Sequence, residues 1–289
     1  MLEMLINPAK AERKPWEMFF IGFFYATIAV LLTRWIFSKD PVLASSLGIL
    51  TVTFTVMFSI PFVYYVFRLE EARSVDESRG VLQILKDHRA ALWAFLWLFM
   101  GFVVGYSFWY IILPTTTSFT AQIDTFCAIN RPGDSTCNVQ LSAVGKGGES
   151  AQTIFATNAE RLFLIFANNI YVLIFTLFFS LLFGAGVIFI LAWNASVIAA
   201  AIGIFTKSDL NLLPLALFRY MAHGLFEIGA YFVAALAGGI ISFAIIRREI
   251  GTDKFWKVLQ DSLKLIILAV AILFIAALME VFITPLFFN

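Results

Sequence analysis

Apolar side chains along this chain come in long unbroken runs. Seven can be marked, at about 16–37, 43–67, 92–113, 162–183, 187–205, 214–246 and 265–285. Each approaches or exceeds the roughly 20 residues that a helix needs to cross about 30 Å of hydrocarbon. Strands of a membrane barrel would instead alternate polar and apolar side chains over about ten residues. The expected fold is therefore all-α, a polytopic transmembrane helical bundle of about seven spans. The uncharged stretch from Leu162 to Phe205 is too long for one crossing and long enough for two. Gly184 and Gly186 mark the expected turn, and a sharply bent helix is the alternative. The run from Pro214 to Ile246 exceeds one straight crossing at about 1.5 Å per residue. Gly224 to Ile246 alone is about a full span, so a break or an outer mouth is expected at His223-Gly224.

Composition strengthens this reading. Only 13% of residues are charged and 61% are hydrophobic, against about 25% charged in a soluble domain. So few charges cannot cover so much apolar surface in water, and lipid must be part of the solvent. The 33 Phe, 7 Trp and 8 Tyr suit lipid-facing and interfacial surface. A net charge of +1 gives no footprint for a nucleic-acid partner. The opening residues 1–17 are polar and too long for the charged start of a signal peptide, and no A-x-A site follows. The first apolar run is therefore expected to stay as a span.

Lys and Arg set the expected orientation. Thirteen fall in segments on the side of the N-terminus. Six fall on the other side: Arg34, Lys39, Arg131, Lys146, Arg161 and Lys207. The positive-inside rule then predicts a cell membrane protein with a cytoplasmic N-terminus and an external C-terminus. The longest hydrophilic loop, 114–160, falls outside and is the only sizeable soluble piece expected. It holds the two cysteines of the chain, Cys127 and Cys137, with the turn pair Pro132-Gly133 between them. An external loop is oxidising, so a disulfide is expected there, stabilising the loop by roughly 2–3 kcal/mol. Zinc would need four ligands, and no His lies nearby. Three parts result: a two-span extension at 1–67, a cytoplasmic linker helix at 68–91, and a membrane domain at 92–285. In the linker, Leu69, Val75, Leu82 and Leu85 share one face amid alternating charges.

Ionisable residues inside a span cost roughly 2.5–3.5 kcal/mol on insertion scales and point to function by default. Arg219, His223 and Glu227 recur at four-residue steps and would stack on one helix face. Glu227 and His223 are expected to bond each other or to share an Asn from a neighbouring span. Asn168 and Asn169 lie at a similar depth, and Asn194 lies nearer mid-span. Together they form a candidate polar pocket opening outward; the plainer alternative is interhelical glue. Gly224, Ala230, Gly238 and Gly239 are small enough for close helix packing. No catalytic set emerges. HGLFE lacks the second His of a zinc helix, and no nucleophile triad or phosphate loop is present. No metal, cofactor or enzymatic activity is expected.

Three stretches carry a resemblance: Asn168-Asn169, then FGAGVIFILAWNASVIAAAIG, then HGLFEIGAYFVAALAGGIISF. They resemble the stage II sporulation protein M family. That family has an Asn pair opening one span, a Gly-rich span closing on an Asn and a Gly, and a P-H-G-x-x-E signature. Asn168, Asn169, Asn194 and Gly203 match the first two patterns, and His223, Gly224, Glu227 and Ala230 the last. Ala222 stands where the family usually has Pro. The stretch 91–108 resembles the span that usually opens the family domain, so the likeness covers about 88–285. It implies a multi-span membrane protein that works in a complex, tied in spore formers to engulfment and septal wall remodelling. The family reaches far beyond spore formers, so the resemblance implies architecture rather than a sporulation role. The expected function is an integral membrane scaffold or complex subunit in envelope or membrane remodelling. Its partners would be the lipid bilayer, membrane or envelope proteins, and a second copy in a homo-oligomer. A transporter or channel subunit using the polar pocket is the alternative; it should show duplicated halves, and no internal repeat is visible.

Overall fold

The computed structural model describes residues 14–73, 81–114, 117–130, 137, 157–183, 187–207 and 209–288. Among them there is no strand. The helices are α1 (Glu17–Phe37), α2 (Leu47–Arg73), α3 (Val81–Asp87), α4 (Arg89–Ile112) and α5 (Thr120–Asn130). They continue with α6 (Asn158–Phe183), α7 (Val187–Thr206), α8 (Leu213–Ile246) and α9 (Asp253–Leu278). A π turn, Met279–Ile283, carries α9 into α10 (Thr284–Phe288). Among the described residues, seven helices are long and apolar enough to cross a membrane: α1, α2, α4, α6, α7, α8 and α9 with its extension. The protein is thus a multi-pass, all-α membrane protein. The end of the bundle that holds Leu113, Thr117–Phe119 and the start of α6 is called the loop end below.

The boundaries depart from the apolar runs for physical reasons. α9 begins well before residue 265 because Thr252 caps it, its hydroxyl accepting from the Phe255 N–H at 3.2 Å. The following turns hold Lys254, Lys257, Asp261 and Lys264, which are helical without being apolar. α2 continues through Arg68 to Arg73, residues 81–87 form α3, and 74–80 lie outside the described residues. α6 and α7 are separate helices, with the expected turn at Gly184 and Gly186 outside the described residues. The break expected at His223-Gly224 is absent: α8 runs unbroken over 34 residues. Its first ten residues extend the apolar span of Gly224–Ile246 at the loop end. Nothing forces a break there, since Gly224 costs a helix only about 1 kcal/mol and Ala222 leaves the backbone ladder intact.

α8 is the central helix, packed against α9, α6, α7, α2 and α4. It can be central because one face is small. A Cβ added to Gly238 would crowd Ser180 of α6, and Ala230, Ala234 and Ala237 are fully buried. α1 and α4 form a second close pair. Gly22 faces Gly101, and side chains there would strike the Leu98 and Phe19 carbonyl oxygens. Gly105 continues the seam one turn on, against Ala26. Gly101 and Gly105 are a small-x-x-x-small pair, which lets backbones approach where lipid offers no hydrophobic push. Polar pairs then tie α2 in. The Thr33 and Thr51 hydroxyls bond at 2.8 Å, and Tyr106 donates to Thr55 Oγ1 at 2.6 Å.

The described part of the loop does not stand free in solvent as a soluble piece. After α4, residues Thr117–Phe119 and α5 turn back into the bundle. Phe119, Ile123 and Phe126 fall at helical spacing and are buried, with Phe119 edge-on to Tyr106 and tilted against Tyr110. Gln122 is also buried, donating its amide to the Gly48 carbonyl at 3.1 Å and to Ser196 Oγ at 3.2 Å. Gly48 leaves room for this amide, since a Cβ there would push the Gln122 side-chain end aside. Arg34 donates to buried Ser118 at 3.2 Å. Cys127 and Cys137 form the expected disulfide, with Cα atoms 5.9 Å apart and both residues buried. Lys207 closes this end by donating to the Leu113 carbonyl at 2.9 Å, 5.5 Å above the Tyr110 ring. Burial pulls its ammonium below the ordinary lysine range.

Gly101→Ala should destabilise the protein by about 1–3 kcal/mol through overpacking of the α1–α4 seam. Gly229→Ala, where an added Cβ meets nothing, should be neutral or stabilise by roughly 0.5–1 kcal/mol. Melting temperatures in detergent compare the two; equal effects would contradict the glycine contact.

Candidate functional site

Successive residues on a helix point about 100° apart. That single fact divides the two adjacent asparagines. Asn169 joins Leu173, Thr176 and Ser180 on the buried face of α6 that packs on α8. Asn168 is turned out of the bundle and exposed. The expectation that both line one pocket is therefore corrected: only Asn169 can.

Asn169 lies at the centre of the polar cluster. Its Nδ2 donates to Glu227 Oε1 of α8 at 2.7 Å. Its Oδ1 accepts from the Tyr231 hydroxyl at 3.2 Å. Glu227 and Tyr231 are one turn apart on α8, so a single amide bridges both. Asn169 of a neighbouring span thus serves Glu227 and Tyr231; the expectation that Glu227 and His223 bond each other or share an Asn falls on a side chain outside the described residues. The backbones of Arg219 and His223 lie in α8; their side chains lie outside the described residues. Asn194 does not join the cluster. Its Nδ2 donates to the Ile190 carbonyl of its own helix at 2.7 Å, a satisfaction that keeps the amide on α7.

A second carboxylate completes the site. Glu280, in the π turn at the end of α9, is close enough to act electrostatically on Glu227. Arg161, in the first turns of α6, acts on Glu280 in the opposite sense. The site therefore draws on three helices: α6 supplies Arg161 and Asn169, α8 supplies Glu227 and Tyr231, and α9 supplies Glu280. The signal for Glu280 was present in the sequence, as the only ionisable residue of the run 265–285. Its pairing with Glu227 across two helices was not. Among the described residues no group of three or more His, Cys, Asp or Glu could hold a metal ion.

The small residues named for packing divide too. Ala230, Gly238 and Gly239 are buried, and Gly238 makes the close contact with Ser180. Gly224 does not: a Cβ added there meets nothing within 4 Å. It is itself buried and lies one turn from Glu227 on the loop-end side. Chemically the cluster offers two carboxylates, a bridging amide, a phenol hydroxyl and a guanidinium.

The family model described as Stage II sporulation protein M matches residues 94–285. α1, α2 and α3 lie outside that match; α4 from residue 94 onward and α5 to α9, with every residue of the polar cluster, lie inside it. The chain is 32% identical over 126 residues to an uncharacterized protein of Methanocaldococcus jannaschii, covering 42% of this chain and 69% of that protein. No solved structure matches the chain.

In a double-mutant cycle, Asn169→Ala and Glu227→Ala should show a coupling of about 0.6–1.7 kcal/mol, the range of measured interhelical polar contacts. Removing either alone strands the other in a dry bundle. Additive losses in unfolding free energy would show that the two side chains do not meet.

Proposed function

The chain belongs to the stage II sporulation protein M family, and from that premise we propose that it is a non-enzymatic scaffold, a membrane-embedded subunit of an envelope complex. The observation that carries this reading is the insertion of α5. A connecting segment that merely joined two spans would need no buried side chains. Here Phe119, Ile123 and Phe126 fill the loop end, Gln122 latches onto α2 and α7, and a disulfide ties the segment to Cys137. Such a segment loses little entropy when a partner binds its exposed side, which favours a fixed docking platform. The positive-inside rule supports placing the loop end and the C-terminus outside, with the N-terminus in the cytoplasm. The partner is then an envelope or membrane protein reached from outside, and the surrounding solvent is the bilayer.

A specific observation favours a second reading, that of a transporter or channel subunit. Glu227 and Glu280 are carboxylates within spans and act on each other electrostatically, and such residues mark ion and substrate paths in many membrane proteins.

One experiment tests the orientation and a second separates the two readings. With Ala159→Cys and Lys257→Cys, an impermeant thiol reagent should label only the first in intact cells; the reverse would overturn the orientation. Purified protein in liposomes should leave ion and solute flux at the level of protein-free vesicles under the scaffold reading. Flux that disappears in Glu227→Gln would establish the transporter reading in its place.

A further inference from the structure

α6 is the least enclosed of the seven spans. Its outward side is not uniformly apolar. Leu164, Asn168, Tyr171, Phe175 and Phe178 follow one another at steps of four, three, four and three, and all five are exposed. This is the heptad spacing by which two helices keep one stripe in mutual contact. The buried residues Asn169, Leu173, Thr176 and Ser180 occupy the opposite side of the same helix. Asn168 lies ten residues, about 15 Å, inside the start of α6. No residue among those described bonds its amide. A side-chain amide turned to hydrocarbon seeks a partner on another helix.

We infer that α6 pairs with α6 of a second copy of this chain, with Asn168 bonded to its counterpart across the seam. Two features select the second copy over a different protein. An amide carries both a donor and an acceptor, so two of them satisfy each other reciprocally. Copies inserted with the same topology hold Asn168 at the same depth, and a two-fold axis along the membrane normal brings identical residues face to face. Any other partner would have to offer a matching group at that depth. A single polar residue in an apolar seam also fixes register, since every slipped pairing leaves both amides unpaired. The inference does not depend on the external segment being a docking platform.

The test uses the full-length protein in liposomes at high lipid-to-protein ratio. Single-molecule photobleaching counts the copies per particle. Wild type should show two. Asn168→Leu removes the amide from a lipid-facing position, so it should keep the wild-type melting temperature. It should associate roughly tenfold more weakly, as expected for one interhelical Asn contact. Asn168→Gln should restore the pairing. Oxidative cross-linking in native membranes supplies the geometry. Leu164→Cys and Phe175→Cys should give covalent dimers, and Ile267→Cys, exposed on α9, should not. Single-step bleaching of wild type, undiminished pairing in Asn168→Leu, cross-linking through Ile267→Cys alone, or capture of a different protein at the seam would each overturn the inference.

Discussion

Hydrocarbon supplies no hydrogen-bond partners, and the arrangement of this protein follows from that deficit. Backbone groups are satisfied by making every span a helix. Polar side chains are satisfied by pairing across helices, and those pairs decide which faces meet. Asn169 illustrates the rule. One amide serves Glu227 and Tyr231, and its helix, α6, is thereby fixed in rotation against α8. Thr33 with Thr51, and Tyr106 with Thr55, do the same for α1, α2 and α4. Lipid gives no hydrophobic push between spans, so association rests on such bonds and on close packing.

Close packing here depends on small residues at two seams. Gly22, Gly101 and Gly105 let α1 and α4 touch backbone to backbone, and Gly238 admits Ser180 of α6. A third opening, at Gly48, receives the Gln122 amide from α5 rather than another span. The same device thus serves helix pairing in two places and the seating of an inserted segment in the third. The loop end is in consequence a built surface: aromatic contacts, an amide latch, a disulfide and Lys207 over Tyr110 all act on one short stretch of chain.

The polar cluster at α6, α8 and α9 joins structural and functional readings in the same atoms. Asn169 and Tyr231 hold the helices together, which is the role of glue. Glu280 has no such excuse. It sits in a π turn, a distortion of a kind common at functional sites, and acts electrostatically on Glu227. A second carboxylate within the spans, acting on the first, is the feature that keeps a transport reading beside the scaffold one. Helix α6 links both to assembly: one face carries the cluster, and the opposite face carries the seam for a second copy.

The number of spans, the all-helical class and the disulfide were legible in the sequence because each depends on local facts. Those are run length against hydrocarbon thickness, charge content, and two cysteines near one turn. The family was legible because its motif is a short string, HGxxE with an Asn pair before it. What the sequence left open were the questions of rotation and of contact between distant segments. Asn168 and Asn169 are neighbours in the chain, yet helix geometry sends one inward and one outward, and only the packing of α6 on α8 chooses which. Asn194 has the same chemistry as Asn169, but α7 turns it back onto its own backbone. Glu280 becomes part of a site only when α9 brings it alongside α8. The loop reads as polar on average, while its three apolar residues at helical spacing find a place to bury only in the assembled bundle. Composition and periodicity fix what each segment can be; which side chains meet is a property of the assembled bundle, because it depends on the angle at which each helix is held by its neighbours.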